Sequence, residues 1–223
     1  MRKMLLGLAG LMMATASQAA VQIGFNSPTG DLGSNTHTYT NGGLSVTASG
    51  YSNYNFGTNT GTATDLFGKN NGGDENGVGL VGDPSGDHEI WYGFGRTAPT
   101  IILDVSSLFG LVTSAQFEMN STTSGEQWIL GGWNGTVWTQ LLTGSTEGSF
   151  INLPGWGTYS KYAFLSNGTI ANETHTSGNV LLAALSVAPV PEPATWAMML
   201  VGFAGIGLAM RGRRRQRTIS QLA

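Results

Sequence analysis

Between Asn70 and Gly95 the chain reads NNGGDENGVGLVGDPSGDHEIWYGFG, and five carboxylates, Asp74, Glu75, Asp83, Asp87 and Glu89, fall among its glycines. Asn70, Asn71 and Asn76 add neutral oxygens. Calcium takes about six to eight oxygen ligands in an adaptable geometry, and a loop of this composition could wrap one ion. The spacing is not that of an EF-hand, because Asp74 to Gly77 reproduces only a fragment of that loop. Two readings therefore stand side by side: a structural Ca²⁺ site built on these five carboxylates, and a solvated acidic loop ahead of a strand that begins at Glu89.

Aromatic side chains offer a second chemistry. Trp128, Trp133, Trp138 and Trp156 could stack on sugar rings, although indoles buried in a β-core are the commoner outcome. Trp133, beside Asn134-Gly135, is the best placed of them to be exposed. Nucleophilic and metal catalysis find little support. The chain has no cysteine, and His37, His88 and His175 lack the His-Glu-x-x-His spacing of a zinc hydrolase. His88 lies between Asp87 and Glu89, but adjacent residues on a strand point to opposite faces. Glu118 and Glu126 could be paired for glycoside hydrolysis, as could many other carboxylates, so no catalytic set is singled out. The expectation is a protein that is not an enzyme. A calcium-dependent carbohydrate-binding module and a polysaccharide-active hydrolase are the alternatives.

The elements that would position these residues are strands. Short apolar runs alternate with Gly, Asn, Ser and Thr, and long helical periodicity is absent. Residues 43–49 alternate apolar and small polar side chains, and further strands are predicted over 89–94, 100–105, 113–119, 127–132, 136–142, 161–166 and 179–187. Residues 31–51 read as connecting loops or a loosely ordered edge around the first of these. Asn134-Gly135 between two β-like runs predicts a hairpin with a type I′ turn. Many short strands at intervals of roughly ten residues predict an all-β fold, an antiparallel β-sandwich of jelly-roll type, over residues 20–188. Five tryptophans between Trp91 and Trp156 argue against disorder of the whole segment. About 170 residues suffice for one core without disulfides.

Charge is segregated. Between residues 20 and 190 the only basic residues are Lys69, Arg96 and Lys161, whereas every one of the 13 Asp and Glu except Glu192 lies there. Such a surface repels phosphate backbones and excludes nucleic acid as a partner. The remaining basic residues sit at the two ends. Arg2 and Lys3 precede an apolar run from Met4 to Met13 and small residues up to Ala20, which is the pattern of a secretory signal peptide over residues 1–19, cut by signal peptidase after Ala19. At the other end residues 194–210 carry no charge, and at about 1.5 Å per residue they make a helix of roughly 25 Å, just enough to span the inner membrane. Arg211, Arg213, Arg214, Arg215 and Arg217 follow and favour a cytoplasmic C-terminus, leaving a short tail over 218–223. Pro191 and Pro193 should keep the preceding chain extended and open to a processing enzyme, and Trp196 suits the membrane interface.

Pro191-Glu192-Pro193, Trp196-Ala197, a short apolar helix and an arginine cluster, in that order over about residues 190 to 217, resemble the PEP-CTERM sorting signal of exported proteins of Gram-negative bacteria. The stretches Gly73 to Gly77, Glu89-Ile90 and Leu103-Asp104 are similar to a pattern recurring in proteins of that kind, and that likeness implies a shared β-sandwich without an activity. The sorting resemblance implies recognition by an exosortase, a membrane cysteine protease-transpeptidase, with processing near Pro-Glu-Pro. It also implies export associated with exopolysaccharide. The expected route holds the domain transiently at the inner membrane on its periplasmic side, then delivers it to the cell surface or extracellular matrix.

Overall fold

The computed structural model describes residues 19–91, 97–122, 126–166, 178–190, 199–207 and 211. The chain divides into two compact units, one running from Ala20 to Pro189 and the other formed by residues 1–19 and 190–223. The boundary between them in sequence falls where the last strand ends.

Within the first unit the strands in chain order are β1 (Val21–Gly24), β2 (Gly30–Asp31), β3 (Thr36–Asn41), β4 (Leu44–Asn55), β5 (Thr60–Ala63), β6 (Leu66–Asn70), β7 (Asn76–Leu80) and β8 (Ile90–Trp91). They continue with β9 (Thr97–Asp104), β10 (Val112–Asn120), β11 (Trp128–Trp133), β12 (Trp138–Gly144), β13 (Ile151–Asn152), β14 (Lys161–Ser166) and β15 (Asn179–Pro189), with one 3-10 turn at Ser106–Leu108. All pairings are antiparallel, in two sheets. The first has the order β13-β10-β15-β7-β6-β2, with β1 and β8 also on β15; the second has the order β12-β11-β14-β9-β4-β3, with β5 on β4. From β7 onward successive strands leave one sheet for the other at nearly every connection.

Alternation explains why the sheets pack. Leu44, Val46 and Ala48 on β4, Ile101 and Leu103 on β9, and Tyr162 and Phe164 on β14 point to one side of the second sheet. There they meet Phe117 and Met119 of β10 and Leu182, Leu185 and Val187 of β15 in one buried cluster. Antiparallel sheets with one face in a shared core and the other free give this in/out rhythm. β15 is apolar almost throughout because it is central and flanked on both edges.

Most of the expected strands form, some with shifted bounds. Three expectations are corrected. Residues 31–51 are not a loose edge: β3 and β4 pair in register from Thr36↔Ser49 to Asn41↔Leu44. The acidic stretch is not a continuous loop, since its first part closes the β6–β7 hairpin and contains β7. The turn after Trp133 is not a two-residue type I′ turn. Trp133 pairs with Trp138, leaving four residues between them, and the Asn134 side-chain oxygen accepts hydrogen bonds from the backbone amides of Thr136 and Val137, both at 3.0 Å. That oxygen takes the place of left-handed backbone at Asn134, and only Gly135 has a positive φ, of 97°.

In the second unit, residues 199–207 are helical and exposed. Among the described residues no helix is long and apolar enough to cross a membrane. The expected signal peptide up to residue 18, both ends of the expected 194–210 span, Pro191, Glu192, Pro193, Trp196 and Arg213, Arg214, Arg215 and Arg217 lie outside the described residues, while Arg211 is described and exposed.

Candidate functional site

The five carboxylates of the acidic stretch part company. β6 carries Lys69, and the connection Asn71 to Glu75 is folded tightly: the Asn71 amide bonds the Glu75 carbonyl at 3.1 Å and the Glu75 amide bonds the Gly72 carbonyl at 3.2 Å. Asn76 fixes the same turn, its side chain donating to the Gly73 carbonyl at 2.7 Å and accepting from the Gly72 amide at 3.2 Å. Gly72 and Gly73 both have positive φ, 86° and 62°, which side chains resist. The turn thereby folds Glu75 back onto its own hairpin, where its carboxylate forms an ion pair with Lys69.

Glu89, just ahead of β8, approaches from another segment. Lys69 Nζ donates to Glu89 Oε1 at 2.6 Å, and Ser121, just past the end of β10, brings its hydroxyl within 2.9 Å of Glu89 Oε1 and 3.1 Å of Glu75 Oε1. Lys69 and Glu89 are only 8% and 3% exposed, which makes this a buried ionic cluster. Burial pushes the Glu89 carboxyl above the usual range, and the bonds from Lys69 and Ser121 do not fully offset it. Burial also acts on Glu75, but Lys69 and Ser121 outweigh it and hold that carboxyl low. For Lys69 desolvation opposes the charge, and the two glutamates outweigh it and raise the ammonium.

The other three carboxylates do not join. Asp83 is buried but occupied by its own loop, accepting from the Ser85 amide at 3.0 Å, the Ser85 hydroxyl at 2.7 Å and the Glu89 amide at 3.3 Å. Asp74 and Asp87 are exposed. Among the described residues no group of three or more His, Asp or Glu is arranged to hold a metal ion. The set of five expected around Ca²⁺ is thus not assembled, and the place between Glu75 and Glu89 is taken by the Lys69 ammonium. Sequence reasoning missed that lysine. Its signal is a lone cation directly after the apolar start of β6, Leu66-Phe67-Gly68, and its partners Glu89 and Ser121 come from segments far along the chain.

A cleft of about 500 Å³ opens beside this cluster, with Phe67 and His88 stacked at 4.0 Å on its wall. The Glu75 and Glu89 carboxylates share one lysine and one serine. The cluster is built as a clamp holding the β6–β7 hairpin to β8 and β10.

Trp133 stands elsewhere, half-buried on the outer face of the second sheet. Its ring lies 5.5 Å from that of Trp138, and Trp138 is itself buried under the loop after β4. Trp128 belongs to the main core, and Trp156 packs against it while donating to the Val112 carbonyl at 3.3 Å.

Residues 189–215 match the family model of the PEP-CTERM protein-sorting motif. The match begins at the last residue of β15 and covers the Pro-Glu-Pro segment, the apolar run and most of the arginine cluster. No curated protein and no solved structure matches the chain.

Proposed function

From the premise that this chain carries a PEP-CTERM protein-sorting motif, and so is an exported protein sorted by an exosortase, we propose that residues 20–189 are the cargo: a non-catalytic β-sandwich delivered to the cell surface or matrix in association with exopolysaccharide. The observation that carries this reading is the coincidence of two boundaries. The compact β unit ends at Pro189, and the sorting motif starts there. A domain whose last strand is complete at the first residue of its address can fold and stay folded while the address is read.

The winding supports the same view of the cargo. β13-β10-β15-β7 and β12-β11-β14-β9, with the chain alternating between them, is the strand order of a jelly roll, extended by β6 and β2 on one sheet and by β4 and β3 on the other. Jelly rolls serve as structural and sugar-binding domains as well as enzymes, so the fold fixes no activity. The Lys69 cluster ties the β6–β7 hairpin to the segments at Glu89 and Ser121, a positioning role that favours the non-catalytic reading.

Mass spectrometry of the protein recovered from the producing cell tests the proposal. The expected result is a mature form that starts at Ala20 and ends within or just after Pro191-Glu192-Pro193. Recovery solely of chains intact through Ala223 defeats the processing step.

A further inference from the structure

The outer face of the second sheet carries a ladder that the main core does not use. Strand register places Thr38, Thr47, Asp104, Lys161, Trp133 and Trp138 side by side on six consecutive strands. At about 4.8 Å between strands this row runs roughly 24 Å. Its next neighbours on β4, Ser49 and Tyr51, point the same way, opposite to Val46 and Ala48. A groove of about 630 Å³ lies on this face, within the range of roughly 300 to 1,000 Å³ usual for small-molecule sites.

One wall of the groove is held in place. β4 has an irregular register between Tyr51 and Tyr54, which turns Tyr54 to the outer face. Asn59, in a left-handed conformation with φ of 55°, accepts from the Tyr54 hydroxyl at 2.6 Å and the Trp138 indole at 2.8 Å. Tyr51 leans on Tyr54 with ring centroids 4.9 Å apart and remains half-exposed. Ser106 and Ser107 supply the opposite end. The Ser106 hydroxyl is fixed to Asp104, and that of Ser107 donates to the Ser45 carbonyl at 2.5 Å.

We propose that this groove binds a neutral oligosaccharide. Sugar rings present apolar C–H faces and a rim of hydroxyls that both donate and accept. Half-exposed Tyr51 in the groove offers a flat apolar surface with a polar tip for the first, and half-exposed Trp133, next to Lys161 on the ladder but outside the groove's lining, offers another. Thr47, Ser49, Asp104 and Lys161 offer both donors and acceptors for the second. Lys161 and Asp104 stand 3.9 Å apart, balanced in charge yet loosely paired, with side chains 45% and 38% exposed, so both remain able to bond a ligand. The groove adds no net charge, and the surrounding domain is strongly acidic, which disfavours a polyanionic glycan. This site rests on the matrix reading and deepens it by naming a ligand class, and it needs no calcium.

The test is calorimetry on the full chain in detergent, titrated with laminarihexaose, cellohexaose and maltohexaose, and with hexagalacturonate as the acidic arm, each with and without EDTA. The expected result is binding of at least one neutral hexasaccharide, unaffected by EDTA, at least tenfold tighter than hexagalacturonate. Tyr51→Ala and Lys161→Gln should each weaken it at least tenfold, with the melting temperature of Lys161→Gln unchanged. No binding of any neutral probe, preference for the uronate, loss with EDTA, or undiminished binding by both variants overturns the groove. If binding fails while the C-terminus is processed in the producing cell, the groove falls and the sorting reading stands. A chain that binds the sugar but is never processed keeps the groove and loses the processing step.

Discussion

At the scale of single residues, the Lys69 cluster decides how this domain responds to substitution and to pH. Removing one partner of a buried pair leaves the other desolvated and uncompensated, at a cost of about 3–5 kcal/mol. Lys69→Met should destabilise by about that much in urea or thermal melts, and adding Glu89→Gln should recover a large part of it. The two glutamates should differ in pH dependence. Glu89 has a raised carboxyl in the fold, so its contribution is fully present below the unfolded value and is lost as pH rises through the folded one. Glu89→Gln should therefore be near neutral in acid and gain on the parent protein toward neutral pH. Glu75 is held low, so its contribution is present above the unfolded value and is lost as pH falls through the folded one. Glu75→Gln should destabilise at neutral pH and become silent in strong acid. Melting curves of the two variants between pH 3 and 8 check both signs, and parallel behaviour would sink the assignment.

At the scale of elements, the β6–β7 hairpin shows what periodicity conveys and what it omits. The strands with apolar alternation, such as β4 and β10, were legible because period-2 burial writes itself into side-chain type, and β15 was legible as a continuous apolar run. β7, Asn76–Leu80, was not, because three of its residues are read as loop formers and two of them are glycines. Those glycines answer to crossing backbone rather than to flexibility. A Cβ on Gly79 would fall on the carbonyl oxygen of His88, and one on Gly68 of β6 would fall on that of Pro28. No local window reveals that segments 28–29 and 88–89 cross there. Asn134-Gly135 failed for a related reason, since the turn's length was set by the Trp133–Trp138 pair and by the Asn134 side chain rather than by the dipeptide. Gly79→Ala should cost about 1–3 kcal/mol, the range of forced overpacking, and should raise the amide exchange of β7 and of residues 88–91 more than that of β11 and β12. Uniform loosening of both sheets would contradict the local account.

At the scale of the whole molecule, address and cargo follow different logics, and their legibility differed accordingly. The sorting motif was readable from residues 190–217 because it acts as a short linear signal whose parts lie in order. The Lys69 cluster and the outer-face ladder were not, because their members come from strands that the sheet order brings together from distant positions. The same contrast predicts where the chain can be cut. β15 is paired with β1 from Val21↔Val187 to Gly24↔Ala184 and with β10 from Val112↔Pro189 to Asn120↔Leu181. β15 is therefore held by neighbouring strands up to Pro189, and among the described residues every member of the core cluster precedes it. A chain ending at Pro189 should melt within about 2 °C of the full-length protein, since it keeps every described member of the core cluster, and should escape membrane retention. A chain ending at Ala183 loses Leu185 and Val187 from the core and the whole β1 pairing. Deletion of two buried apolar side chains alone costs about 4–10 kcal/mol, comparable with the roughly 5–15 kcal/mol stability of an ordinary domain. That shorter chain should show no cooperative transition by circular dichroism. If both truncations melt alike, β15 is not the closing strand of the cargo, and the boundary at Pro189 loses its meaning.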